Sequence, residues 1–247
     1  MIAHILAATL TFGVPDAIAA RKPTLKTSKS PGEIVLNDAW YVMQAGSTGW
    51  GYFHEVIVKR DGKYFYRYDM TKKENDRLYQ ENLGAVAQED LIPVAFNLNK
   101  SGEGVAEAYS GTFMDKGDTG IFSVQVSGAR AKSFKRHVRR ETIMEAYFPV
   151  WIHLNWERIR KDFRASIPIF TEDPQNAEYQ VRTAKLEWKG ERPGSPACKE
   201  INVDFDGRRS VWCVEQSGSL VSMIIGDNEV MVKRVKSEQE AKKALGG

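Results

Sequence analysis

The stretch "GWGYFHEVIVKRDGKYFYRYDM", residues 49–70, decides how the chain folds. Asp61-Gly62 sits between two runs rich in β-branched and aromatic residues. An Asp-Gly pair in that setting signals a two-residue hairpin turn of type I′, because both central residues need positive φ. With that turn, Arg60 pairs with Lys63, Ile57 with Tyr66, Glu55 with Tyr68 and Phe53 with Met70. The other side pairs Val58 with Phe65, Val56 with Arg67 and His54 with Asp69. One face therefore carries Phe53, Ile57, Tyr64, Tyr66, Tyr68 and Met70. That is more aromatic surface than a two-stranded ribbon can cover. Two readings stay open: cross-strand packing onto the rest of a core, or the lining of a groove for an apolar ligand. The tyrosines favour a boundary, since each hydroxyl needs a partner or water.

The same logic reaches the C-terminal third. Asp206-Gly207, Ser217-Gly218 and Asp227-Asn228 are hairpin signals. Treated as two-residue loops, they place Ile201 opposite Trp212, Val203 opposite Ser210, Val214 opposite Val221, Trp212 opposite Met223 and Ile225 opposite Val230. All of these fall on one side of the sheet. A slip of one residue would turn that side to water, so the register is strongly specified. Further strand patterns cover Glu33 to Ala45, Val105 to Met114 and Gly120 to Val138, with "NLNKSGEG" and "MDKGDTG" read as polar turns.

"FPVWIHLNWERIRKDF", residues 148–163, is read as one helix. Pro149 suits the first helical position. Phe148, Trp151, Trp156, Ile159 and Phe163 recur at helical spacing. "SEQE" is a capping box with Ser237 as N-cap and Glu240 at the third position of a short C-terminal helix. The expected fold is mainly β: a strongly curved antiparallel sheet or open barrel with one packed helix and a short C-terminal helix, as a single domain over residues 33–247.

Composition sets outer bounds. The chain has 247 residues, 42% hydrophobic and 27% charged, with a net charge of +3, so it has a soluble globular make-up and no strong call for a polyanion. No apolar run is long enough to span a membrane as a helix. Residues 1–20, "MIAHILAATLTFGVPDAIAA", read as a signal peptide with Ala17-Ile18-Ala19 as the cleavage site, and residues 21–32 as a basic linker. The expected location is therefore the bacterial periplasm. Cys198 and Cys213 fit one disulfide in an exported protein or two thiols in a reduced one. The hairpin register makes them diagonal neighbours, roughly 7–8 Å apart at Cα, whereas a bridge prefers about 5.5–6 Å. A bridge then needs a bulge, a longer loop at Asp204 to Gly207, or a bend after Pro196. No Cys/His cluster has zinc spacing, and no cofactor motif is present.

Two features invite chemistry. His54 opposite Asp69 makes two thirds of a triad, but no G-x-S-x-G elbow accompanies it, and a cross-strand charge pair accounts for it equally well; no catalytic residue is assigned. "ARAKSFKRHVRR" crowds Arg130, Lys132, Lys135, Arg136, Arg139 and Arg140 into one segment. It reads either as an anion contact for lipid or glycan or as a charged strand that deters edge pairing. No nucleic-acid motif accompanies the run.

Three segments carry a resemblance: "GYFHEVIVKRDGKYFYRYDM", "FPVWIHLNWERIRKDFRASIPIF" and "VWCVEQSGSLVSMIIGDNEVMVKRV". They resemble a loose group of uncharacterised β-rich bacterial envelope proteins, similar in outline to the lipoprotein-carrier class. In that class a curved antiparallel sheet wraps an apolar interior closed by helices. The resemblance implies a non-enzymatic domain holding a lipid-like or other apolar partner, and it transfers no catalytic residue. The basic strand is a departure from it. Phe53, Ile57, Tyr66, Tyr68, Trp212 and Met223 are the lining candidates. An envelope scaffold with a protein partner and a cell-wall or lipid hydrolase are the alternatives.

Overall fold

The computed structural model describes residues 32–245, apart from 75, 163, 174–177, 193–194, 206, 216–218 and 227–229. The proposed leader, residues 1–20, and nearly all of the basic linker lie outside the described residues. Fifteen strands form one sheet. The first eight are β1 (Ile34–Ala45), β2 (Thr48–Arg60), β3 (Lys63–Glu74), β4 (Arg77–Gln88), β5 (Pro93–Gly102), β6 (Val105–Asp115), β7 (Thr119–Gly128) and β8 (Lys132–Arg139). A two-residue β9 (Ile143–Met144), a 3-10 turn (Glu145–Tyr147), α1 (Phe148–Leu154) and α2 (Trp156–Asp162) follow. The chain continues through β10 (Arg164–Asp173), β11 (Glu178–Arg192), β12 (Ser195–Phe205), β13 (Arg208–Val214), β14 (Leu220–Ile225), β15 (Val230–Val235) and α3 (Glu238–Lys243).

The residue 49–70 hairpin forms as read. Every pairing from Arg60–Lys63 to Phe53–Met70 is present. Asp61 and Gly62 both have positive φ, 50° and 68°, as type I′ requires. In the C-terminal meander, Ile201–Trp212, Val203–Ser210, Trp212–Met223 and Ile225–Val230 pair as read. One pairing is corrected. A register shift after Cys213 sets Val214 opposite Leu220, not Val221. Glu215 N–H donates to Ser219 O at 2.9 Å, so the connection is longer than two residues, and Leu220 takes the buried position. Residues 206, 217, 218, 227 and 228 of the three turn signals lie outside the described residues.

Other boundaries differ. β4 and β5 lie outside the strand patterns of the sequence, and "NLNKSG" belongs to β5 rather than to a turn. Gly120 to Val138 is two strands, β7 and β8. Residues 148–163 give two short helices rather than one: Asn155 leaves helical geometry at φ −104°, ψ 13°, and its Nδ2 donates to Trp151 O at 2.9 Å. The Ser237 cap is present, its hydroxyl accepting from Glu240 N–H at 3.3 Å.

The order of strands across the sheet is β8 through β1, then β15 through β9. β8 and β9 are thus the two outermost strands, yet only residues 140–142 join them. Four Cα steps span at most about 15 Å, so the sheet has to roll until its ends meet. They meet by overlap, with no strand-ladder pairing of β8 with β9 among the described residues. Following cross-strand partners keeps one side of the sheet in view: Tyr66, Phe96, Tyr109 and Phe122 share the inner side with Ile57, Trp212, Leu186 and Ile167. Phe170, Glu172 and Tyr179 point from β10 and β11 to the outer side. Those outer side chains nevertheless pack on the inner side of β5–β7. Phe170 stacks on Phe122 at 3.8 Å, Tyr179 lies 4.8 Å from Phe96, and Lys100 Nζ reaches Glu172 at 2.6 Å. The sheet is a scroll with β10 inside it, and so both Ile169 and Phe170 are fully buried. Gly111 makes room for the Phe96 ring, on which Tyr179 packs: a Cβ there would sit 2.0 Å from that ring.

The interior is filled by α1 and the turn before it. Tyr147 meets Tyr66 edge-on and its hydroxyl donates to Tyr64 O at 3.2 Å. Phe148 meets Trp212 and Phe205 edge-on, and Trp156 meets Trp188.

Candidate functional site

Most of the aromatic face fills space rather than enclosing it. Phe53 stacks on Tyr41 at 4.7 Å and lies 5.1 Å from Tyr68. Tyr66 packs on Tyr147, and Trp212 packs on Phe148 while donating Nε1–H to Ser210 Oγ at 2.9 Å. Met223 is half-buried against the same core. Of the six lining candidates, Ile57 borders a cleft that the packing leaves open.

That cavity has a volume of about 230 Å³ and lies between β1, β2, α1 and the start of β14. Its lining is mostly apolar, from Leu36, Ile57, Pro149, Val150 and Leu220, with Val35, His153 and Ser219 beside them and the polar side chains of Asn37 and Glu55 among them. The local sequence explains the shape. A register shift between Val35 and Asn37 inserts an extra residue, Leu36, into β1. Asn37 is thereby set opposite Ile57 on the inner side, while Val35 stays exposed. Pro149 at the start of α1 lacks an N–H and brings only its ring to the wall.

Glu55 lies among Phe53, Ile57 and Tyr66 on the buried side and is 7% exposed. Its Oε2 accepts from Asn37 Nδ2 at 2.5 Å and its Oε1 accepts from Tyr66 Oη at 3.1 Å. No ion pair reaches it among the described residues. Burial disfavours the anion more than these two donors favour it, and the carboxyl pKa rises to about 7. Tyr41, which donates to Leu220 O at 3.1 Å, and Tyr66 are raised by burial first and by the Glu55 charge second. The arrangement can present an uncharged acid to a ligand in a mostly apolar pocket. Strand parity already places Glu55 inside, between Phe53 and Ile57; a charged residue at a core position was the signal that could have found it.

The other candidates lie elsewhere. His54 sits opposite Asp69, but its Nε2 bonds Asp38 Oδ1 at 2.7 Å and its ring stacks on Trp40 at 4.3 Å. Asp69 is taken by Arg67 at 2.6 Å. The dyad is therefore not assembled. In the basic run, Arg130 pairs with Glu107, Lys132 and Arg136 with Glu178, Arg139 with Glu141, and Arg140 with Asp90 and Asp115. The chain's own carboxylates thus occupy five of the six cations, and two of those bonds fasten β8 to β11 across the overlap. Cys198 and Cys213 form a disulfide with Cα atoms 5.2 Å apart. A larger concavity, about 1000 Å³, lies over the outer side of β10–β13. Arg164, Lys185 and Arg209 there are exposed, and Glu187 and Asp204 add the opposite charge. It lacks the buried chemistry of the Glu55 cavity. Among the described residues no group of three or more His, Cys, Asp or Glu is placed to hold a metal ion, and no helix is long and apolar enough to cross a membrane.

No family model and no curated protein matches the chain. Solved structures do. A β-barrel-like protein of domain of unknown function DUF1849 from Brucella abortus is similar with a TM-score of 0.56, at 11% identity, over 81% of this chain and 95% of that one. A DUF1089 family protein from Pseudomonas aeruginosa gives a TM-score of 0.40 at 9% identity, over 68% of this chain and 87% of that one. The first likeness supports a β-barrel-like fold shared with an uncharacterised group; at such identity it shows the fold alone.

Proposed function

We propose that this chain is a non-enzymatic binding protein of the bacterial cell envelope that takes an apolar or amphipathic, lipid-like ligand in the cavity beside Glu55. The observation that carries the reading is a half-open cleft of about 230 Å³ beside the packed aromatic interior, with apolar Ile57, Val150 and Leu220 and the buried Glu55 in its lining. The walls are apolar and the polar groups few, as in small-molecule sites. The volume is below the roughly 300–1,000 Å³ of a complete ligand pocket, so part of a longer molecule enters while the rest lies over Val35 and its exposed neighbour Ile34. The engagement of His54 by Asp38 and Trp40 supports a site without a nucleophile–base pair. The leader-like first twenty residues and the disulfide support an oxidising compartment outside the cytoplasm.

Organic extraction of the purified protein with mass spectrometry, and titration with a fluorescent fatty acid, test the reading. Leu36→Trp fills the cavity from its half-exposed wall. The expected result is uptake by the wild type and loss of uptake in Leu36→Trp with an unchanged thermal melt. An empty extract together with no uptake, or equal uptake by both proteins, would overturn it.

A further inference from the structure

We propose that the broad concavity over the outer side of β10–β13 is a second binding site, which takes a ligand bearing a phosphomonoester, with Arg164 and Lys185 as its anion contacts. None of its lining residues belongs to the cleft beside Glu55. The site therefore goes beyond the apolar-ligand reading and does not depend on it.

Strand register builds the site. Two cross-strand rows point outward from β10–β13. One runs through Arg164, Glu187, Asn202 and Val211, and the other through Ser166, Lys185, Asp204 and Arg209. Leu186, Val203 and Ser210 lie between the rows and turn their side chains inward. Arg158 of α2 stands at the edge. The concavity over these rows holds about 1000 Å³, at the upper end of the roughly 300–1,000 Å³ of small-molecule sites.

Charge decides what enters. The two carboxylates of the site already have partners. Glu187 is bound by Lys189 at 2.9 Å and hydrogen-bonded by Asn202. Asp204 accepts from Gly207 N–H at 2.6 Å, and Arg209 approaches it only to 4.0 Å. Arg158 reaches Asp162 at 3.9 Å. Arg164 and Lys185 are exposed, and among the described residues no carboxylate forms an ion pair with either. The basic strand β8 shows the contrast, since Arg136 and Arg139 there are met by Glu178 and Glu141. Arg164 and Lys185 are diagonal neighbours on adjacent strands, roughly 7–8 Å apart at Cα, so their long side chains can close on one group. Like charges so placed repel, and an anion between them relieves the repulsion. The arginine fork and the lysine point charge both suit phosphate oxygens, and a phosphomonoester carries roughly −1.5 to −2 charges at pH 7. Ser166, opposite Lys185, adds a hydroxyl donor beside both cations. The lining holds no aromatic ring on which a nucleobase could stack. The bearer of the phosphate is therefore a sugar or a lipid head group.

The test is calorimetric titration at about pH 7.5 with glucose 6-phosphate, and with glucose as the neutral control. Co-sedimentation with phosphatidylcholine vesicles, with and without phosphatidic acid, asks whether a membrane can present the same group. The inference expects glucose 6-phosphate, phosphatidic acid or both to bind, and glucose not to bind. Binding should weaken between about 20 mM and about 500 mM NaCl, because exposed charges are screened. Arg164→Gln with Lys185→Gln should weaken it by about tenfold or more, as expected on losing charge-assisted hydrogen bonds, with an unchanged thermal melt because both side chains are exposed. Lys63→Gln with Lys116→Gln removes the same charge from exposed positions elsewhere and should leave binding as it was. Binding of glucose 6-phosphate alone would make the bearer a sugar, and phosphatidic acid dependence alone would make it a membrane head group; either supports the site. No binding of either phosphomonoester at the lower salt, undiminished binding in the Arg164 and Lys185 variant, or equal weakening in the Lys63 and Lys116 variant would each overturn it. Fatty-acid uptake should persist in the Arg164 and Lys185 variant, so this site and the cleft beside Glu55 stand or fall separately.

Discussion

Replacing Glu55 by Gln should change how stability depends on pH more than it changes the fold. In the unfolded chain this carboxyl ionises near its ordinary value of 4.5, and in the folded protein near 7. Between those values the folded state holds the extra proton. Stability therefore falls as pH rises through the interval, and the loss is complete above about 7. The gap corresponds to about 3 kcal/mol at roughly 1.4 kcal/mol per pKa unit. Glu145 is raised in the same direction by burial, but it is present in both proteins and cancels in the difference. Carboxylates held low by partners, such as Glu107 beside Arg130, act at lower pH and also cancel. The assay is urea denaturation of wild type and Glu55→Gln at steps from about pH 4.5 to about pH 8. The stability difference should shift by about 2–3 kcal/mol in favour of the variant across that range. Parallel curves would refute the claim that Glu55 is buried without a cationic partner.

Three further outcomes follow from the packing. Lys100→Met leaves Glu172 unpaired inside the overlap, where both side chains are largely buried; it should cost about 3 kcal/mol in urea unfolding, and Lys100→Met with Glu172→Leu should recover most of the loss. Gly49→Ala places a Cβ 2.1 Å from the Ala244 carbonyl oxygen, so α3 should lift from β1 and β2, at a cost of about 1–3 kcal/mol, with new proteolytic cleavage near Lys236 as the readout. Replacing both cysteines by Ala frees a bridge of sequence separation 15 and should lower stability by about 3 kcal/mol; thiol titration of the wild type should find no free sulfhydryl.

Tight turns explain what could be read from the chain alone. Asp61-Gly62 fixed its hairpin because few residue pairs accept two positive φ values in succession. Trp212 met Ile201 and Met223 for the same kind of reason, since one apolar side had to face inward. β4 is not legible because its inward residues are Glu81, Leu83, Ala85 and Ala87. The rings of Tyr64, Tyr66 and Phe96 on neighbouring strands need that room, so the strand carries little alternation of its own. β5 is not legible because Lys100, a polar side chain at an inward position, finds Glu172 only once the sheet has rolled. The overlap itself is a property of distant strands, and no local pattern encodes it. The site was half legible: Ile57 was among the lining candidates, but Leu36 and Asn37 owe their placement to an inserted residue that periodicity does not reveal. Glu55 is legible as the partner of Tyr68, but the rings around it dominate the pattern.

The seam at β1 and β15 has a consequence for assembly. Each antiparallel pairing joins strands that follow one another in the chain, except this one, which brings Tyr41 beside Arg234. The molecule can thus build two meanders from nearby residues, one on each side of the central helices, and spend loop-closure entropy on a single long-range stitch. A chain cut at residues 140–142 and rejoined at its present ends would convert that stitch into a local one, and the rate of refolding would register the change.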